Sequence, residues 1–197
     1  MDGRLDVING TAGLALAGAS QSGGRRLPFQ HSMTAWDLAT GYMLDGFPQV
    51  VEDFQFFMNY AVGDLDGEGK PELVAGTGVY LVHAFREDGT QPEGWPKNTM
   101  GWVASTPALG DMDQDNKMEV AVNTREGWLF VWNMEGRVRK NSATEKPGPI
   151  QWSGQHHDLQ NTGNLRTPLR DYGVVGDGPT TEPPRCGCRS TGDGGDP

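Results

Sequence analysis

Apolar residues come in short runs along this chain, and the residues between the runs are turn formers. Ala61-Val62-Gly63 leads into an acidic stretch, and Leu73-Val74-Ala75 leaves it. Tyr80 to Phe85 then runs back and ends in the turn Arg86-Glu87-Asp88-Gly89. Runs this short, bounded by Gly and Asp, predict β-strands joined by tight turns. A helix would need an apolar stripe recurring every three to four residues over a longer window. The expected fold class is all-β. The 29 glycines, the 13 prolines and a hydrophobic content of only 36% agree with a turn-rich β protein. A length of 197 residues is enough for one domain with its own core.

The pattern repeats. Asp64-Leu65-Asp66-Gly67-Glu68-Gly69-Lys70-Pro71-Glu72 runs into Leu73-Val74-Ala75-Gly76-Thr77. Asp111-Met112-Asp113-Gln114-Asp115-Asn116-Lys117-Met118-Glu119 runs into Val120-Ala121-Val122-Asn123-Thr124, 47 residues later (111 minus 64). Asp2-Gly3-Arg4-Leu5-Asp6, running into Val7-Ile8-Asn9-Gly10-Thr11, reads as the end of a third copy. The expectation from this half copy is that the chain begins in mid-repeat, as a fragment or a mis-assigned reading frame. Other positions keep register. An aromatic closes a strand at Trp36, Phe85 and Trp132, and a turn with Gly41, Gly89 or Gly136 follows. Gly46-Phe47-Pro48 is matched by Gly94-Trp95-Pro96. Four short strands in about 45 residues is the size of one propeller blade.

The acidic stretches carry the chemistry. Carboxylates at positions one, three, five and nine, with a tight turn between them, converge on one point. A hard divalent cation wants six to eight oxygens at about 2.3–2.6 Å, supplied by carboxylates and backbone carbonyls. The expected ligands in the first loop are Asp64, Asp66, Glu68, the carbonyl of Lys70, and Glu72. In the second they are Asp111, Asp113, Asp115, the carbonyl of Lys117, and Glu119. Gly69 and Asn116 hold position six, where the chain turns sharply and a positive φ is tolerated. An EF-hand is excluded, because its position-twelve Glu is replaced by Ala75 and Val122. Solvated hairpin tips are also rich in Asp and Gly; recurrence in register is what favours a cation site. Glu68 stands where Asp is expected, and its longer side chain would distort the first site.

The stretch from Gly63 to Thr77 and its copy from Gly110 to Thr124 resemble the FG-GAP/VCBS repeats of integrin-α-like β-propellers. The resemblance spans roughly residues 1 to 164. It implies about two to three four-stranded antiparallel blades around a central axis, with calcium in the inter-strand loops. It also implies a role in binding or adhesion. The segment Trp152 to Asn164 is similar to the terminal element after the last blade in some bacterial propellers of this type. Cys186-Gly187-Cys188-Arg189, after a Gly/Pro/Thr-rich linker, resembles the start of the cysteine-containing sorting tail of myxobacterial surface proteins.

Charge narrows the partners. With 26 acidic against 16 basic residues the formal net charge is −10, which argues against nucleic-acid binding through phosphates. No apolar stretch is long enough to span a membrane, and the first residues lack the basic and apolar regions of a signal peptide. Cys186 and Cys188 are the only cysteines, so the folded part has no disulfide framework. The two are close enough in sequence that a disulfide between them would be strained. His156, His157 and Asp158 read as a packed, hydrogen-bonded element, since neighbouring strand residues point to opposite faces and two imidazoles do not converge. Of six tryptophans, Trp36, Trp95 and Trp132 hold repeat positions and read as core. Trp102, Trp128 and Trp152 hold no repeat position and are the candidates for stacking on a glycan. Neither a Gly-x-Ser-x-Gly elbow nor a phosphate loop is found.

The expected organisation is a truncated first blade over 1–50 with a loop insertion from Ala19 to Gln30. A blade with a calcium loop follows over 51–98. The last blade, with its calcium loop and the terminal element, covers 99–164, and a disordered linker or tail covers 165–197. The expected function is that of a non-catalytic, calcium-binding module for binding or adhesion, outside the cytoplasm or at the cell surface. Calcium is structural, and loops such as Ala19 to Gln30 meet a protein or glycan partner. Two alternatives stand beside it. One is the accessory propeller of a larger secreted hydrolase or peptidase. The other is a fragment that does not fold without its neighbouring blades.

Overall fold

A computed structural model of the chain describes residues 6–10, 31–53, 55, 58–138, 149–158, 160–167 and 169. The described residues form eleven strands and no helix. All pairings are antiparallel, and the strands make three open sheets. The all-β expectation therefore holds. The insertion from Ala19 to Gln30, both cysteines and the tail beyond residue 169 lie outside the described residues.

The first sheet contains β1 (Asp6–Gly10), β2 (His31–Asp37) and β3 (Gln49–Val51), in that order. The middle sheet contains β4 (Ala61–Gly63), β5 (Glu72–Gly76), β6 (Leu81–Phe85) and β7 (Lys97–Asn98). The third contains β8 (Ala108–Gly110), β9 (Lys117–Asn123) and β10 (Leu129–Arg137), each beside the next. The last strand, β11 (Ile150–Trp152), returns to the middle sheet and pairs with β4, giving the order β11-β4-β5-β6-β7.

Two apolar clusters show how the sheets stack. Ala61, Val74, Val82, Ala84 and Ile150 of the middle sheet pack with Leu109, Met118, Val120 and Val122 of the third. Phe85 and the partly buried Leu73, on the other face of the middle sheet, pack with Met33 and Val51 of the first. Leu73 and Phe85 are cross-strand partners, as are Val74 and Ala84. Because successive residues on a strand point to opposite faces, the unbroken apolar run Leu73-Val74-Ala75 is that of a strand covered on both sides. Strand β10, by contrast, alternates exposed and half-buried positions along most of its length.

The matched segments share backbone form. Gly46 and Gly94 both have positive φ (88° and 77°), and Pro48 and Pro96 both follow cis peptide bonds. Gly41 and Gly89 sit in turns at positive φ, as their sequence position predicts. Gly136 departs from that expectation. It lies inside β10, beyond a register shift that follows Asn133. The reason is a close approach between sheets: a Cβ on Gly136 would lie 1.7 Å from the Asp64 carbonyl oxygen. The Gly136 N–H donates to the Leu65 carbonyl at 2.8 Å. Glycine is used here for proximity rather than for a turn.

Candidate metal centre

The two acidic loops occupy equivalent places. The first joins β4 to β5, and the second joins β8 to β9. Positions four and six are left-handed in both: Gly67 and Gly69 (φ 79° and 86°) in the first, Gln114 and Asn116 (both 68°) in the second. That conformation is free for glycine and tolerated by Asn.

The carboxylates close the loops with the same hydrogen bonds. At position one, Asp64 Oδ2 accepts the Gly69 N–H at 3.0 Å, and Asp111 Oδ2 accepts the Asn116 N–H at 3.0 Å. At position three, Asp66 Oδ1 accepts from Glu68 at 3.1 Å, and Asp113 Oδ1 accepts from Asp115 at 3.2 Å. At position nine, Glu72 Oε2 accepts from Leu65 at 2.8 Å, and Glu119 Oε2 accepts from Met112 at 2.6 Å. A glutamate at or near the start of each outgoing strand thus reaches back beneath its own loop. Glu72 and Glu119 are buried, at 1% and 2% exposure.

In the first loop one oxygen from each of Asp64, Asp66 and Glu72 lies within 4.8 Å of the others. In the second the same holds for Asp111, Asp113 and Asp115. Oxygens sharing a calcium ion at about 2.3–2.6 Å can be no more than about 5 Å apart, so both groups have spacing that suits such an ion. The structure does not draw every expected residue into these groups. Glu68 is exposed and outside the first, and Glu119 is outside the second. The groups expected of Lys70 and Lys117 are backbone carbonyls, and their ammonium groups turn away to pair with Glu87 and, at 3.1 Å, with Glu135.

Electrostatics mark these carboxylates as uncomfortable. Burial pushes the Glu72 carboxyl up to about 7, with the neighbouring Asp66 and Asp64 charges adding to it. Burial also raises Glu119, and the charges of Asp113, Asp111 and Asp115 act in the same direction. Asp64 is raised chiefly by burial. A cation among them would relieve all of these terms. Polar atoms left without partners sit in the second loop: Glu119 Oε1, Asp111 Oδ1 and Asn116 Oδ1 are buried and make no hydrogen bond. Buried polar atoms are ordinarily satisfied, so these oxygens fit a hard cation that takes oxygen ligands.

Arg86 is a residue whose role the sequence pattern did not reveal. It follows β6, and its guanidinium reaches into the first loop. Nη2 and Nε lie 2.7 and 3.1 Å from Asp66 Oδ2, and Nε lies 4.0 Å from Glu72 Oε1. The repeat offset offered a signal, because the residue 47 places on is the uncharged Asn133.

The other expected chemistry resolves into packing. His156 is exposed while His157 is buried, so the two imidazoles do not converge. His157 stands edge-on to Trp152 at 4.9 Å and bonds Asp158 at 3.1 Å. Asp158 caps the following turn by accepting the N–H groups of Gln160 and Thr162 and the Thr162 hydroxyl. Trp95 and Trp132 meet in the shared core, whereas Trp36 is partly exposed. Trp128 is exposed, and Arg125 lies 5.5 Å over the Trp102 ring. No helix among the described residues is long and apolar enough to cross a membrane. No protein-family model, curated protein or solved structure matches the chain.

Proposed function

We propose that the chain is a calcium-stabilised, non-catalytic β-propeller module that serves binding or adhesion outside the cytoplasm. The observation that carries this reading is the second acidic loop. Three of its carboxylates lie close enough to share one ion, and Asp111 Oδ1, Asn116 Oδ1 and Glu119 Oε1 are buried with no partner among the described residues. The stacking of three antiparallel sheets through shared cores supports blades of a propeller, which pack face to face about an axis.

In this reading Asp111, Asp113 and Asp115 hold the ion, which neutralises their charge, offsets that of the buried Glu119 beside them and fixes the turn between β8 and β9. The surrounding chain is already arranged for it, because hydrogen bonds from Asn116, Asp115, Lys117 and Met112 orient all four carboxylates of the loop. Calcium is a structural ligand, and partner contacts fall to surface loops. Extracellular calcium modules commonly have dissociation constants of about 10⁻⁴–10⁻³ M. An ion that binds only the folded chain adds about 2.7 kcal/mol at a hundredfold excess over its dissociation constant. The test is thermal unfolding with calcium and with chelator. Calcium should raise the midpoint by several degrees, and equal midpoints would overturn the structural role.

A further inference from the structure

We infer that the two loops are not equivalent sites: Arg86 occupies the cation position of the first, and only the second takes up a divalent ion. This rests on the calcium reading above and adds which loop the ion enters.

The two loops share left-handed positions four and six and matched closing hydrogen bonds at positions one, three and nine, but different groups face their carboxylates. Leu73 pairs with Phe85, which places Arg86 across the hairpin from Glu72. Asn133 pairs with Glu119. Arg86 and Asn133 therefore hold the same place relative to the position-nine carboxylate. A guanidinium stands there in one copy, and a short neutral amide in the other.

The oxygens record the consequence. In the first loop Asp64 uses both oxygens, accepting from Gly67 and Gly69 at 3.0 Å each. Asp66 gives Oδ1 to Glu68 and Oδ2 to two nitrogens of Arg86. Glu72 gives Oε2 to Leu65, and its Oε1 has Arg86 Nε at 4.0 Å. The guanidinium is further held by donating from Nη1 to the Gln91 carbonyl at 3.3 Å. A planar guanidinium matches carboxylate geometry and is always charged, so it supplies the neutralisation that an ion would bring.

In the second loop Asp111 Oδ1 and Glu119 Oε1 remain buried and unpartnered. Glu119 is 2% exposed, and its other oxygen is fixed to the loop backbone. No ion pair joins Asp111, Asp113, Asp115 or Glu119 to a cation among the described residues. Lys117, the cation within the loop, is turned to Glu135. Adding an ion to the first loop would require displacing Arg86 from Asp66, whereas the second has nothing to displace.

Calorimetric calcium titration of the whole chain after chelation tests this, with circular dichroism confirming that each variant is folded. The wild type should take one ion. Asp113→Asn should weaken binding about tenfold or more, while Asp66→Asn should leave it within about twofold, since affinity follows the charge of the ligand set. Asn133→Arg should abolish uptake, and Arg86→Asn should add a second ion. If Arg86→Asn fails to fold, the Asp66 and Asp113 variants decide alone. Two ions in the wild type, with one lost on each aspartate substitution, would overturn the inference and leave the calcium reading standing. No uptake by the folded wild type would overturn both.

Discussion

Two loops with the same backbone sit in different surroundings, and position two shows the contrast. Leu65 in the first loop is 1% exposed and belongs to the core shared by the middle and third sheets, whereas Met112 in the second is 47% exposed. The first loop is clamped from outside itself. The Leu65 carbonyl accepts from Gly136 of β10, and the Asp64 N–H donates to the Pro149 carbonyl just before β11, both at 2.8 Å. The second loop has no sheet over its outer side among the described residues, and Asp113 and Asp115 are exposed. The first is thus ordered by neighbouring chain and neutralised by an arginine. The second keeps unpaired buried oxygens, and the order of that loop is what an added ion would supply under the proposed reading. One sequence motif has been put to two uses, and the neighbour decides which.

The largest test of that contrast is a matched pair of truncations. Leu65→Ala removes a buried side chain and should cost about 2–5 kcal/mol. Met112→Ala, at the same loop position, should stay within about 0.5 kcal/mol, as surface substitutions do. Urea unfolding of both variants would measure the difference. Equal costs would mean that the two loops are equally covered, contrary to the contrast.

The next test targets the clamp. In Gly136→Ala the new Cβ meets the Asp64 backbone oxygen at 1.7 Å. The sheets must part, and overpacking of this kind costs about 1–3 kcal/mol. Gly127→Ala is the control. Nothing lies within 4 Å of its Cβ position, and its φ of 92° adds only the strain of a left-handed backbone, about 1–2 kcal/mol. The two variants separate in what they do to the first loop: Gly136→Ala should raise hydrogen exchange at Leu65 and Asp64, and Gly127→Ala should not. Unchanged exchange at Leu65 in a destabilised Gly136→Ala would dismiss the clamp.

Much of this was legible in the sequence, and the failures are instructive. The 47-residue offset located both loops, and short apolar runs between turn formers gave the all-β class, because each is a local pattern. The run Leu73-Val74-Ala75 was legible as a strand, and its coverage on both faces came only with the packing of the sheets. Gly136 misled because a glycine required for closeness looks the same in sequence as one required for a turn. The place of β11 beside β4 was hidden, since that pairing joins residues nearly ninety positions apart (150 minus 63) and leaves no local period. Arg86 was read as part of a turn. Its role depends on the hairpin register that sets it across from Glu72, which becomes visible only when the two copies are aligned beyond their acidic stretches.

The smallest test concerns the segment that gives the first loop part of its clamp. Pro149 caps Asp64, β11 pairs with β4, and the Ser153 carbonyl accepts the Leu109 N–H of the third sheet at 2.7 Å. The Ser153 N–H and hydroxyl in turn bond the His157 carbonyl, so the turn at Asp158 holds this segment in place. The Thr162 hydroxyl, with smaller help from His157, holds the Asp158 carboxyl from its ordinary 3.8 down to about 2. A carboxyl depressed in the folded state leaves the unfolded chain binding more protons between those values. Stability from this group is therefore fully present above about pH 4 and is lost as pH falls through about 2. Thr162→Val removes the largest cause of the depression. It should lower the unfolding midpoint by about 2 °C at pH 6, at the low end of what single contacts achieve in a chain of this size. The deficit should shrink as both proteins are compared at successively lower pH. Exchange at Asp64 and at Leu109 should rise in the variant, because Pro149 and Ser153 of the held segment accept their N–H groups. A deficit that stays constant down to pH 2 would show that the Thr162 hydroxyl serves packing rather than the charged carboxylate.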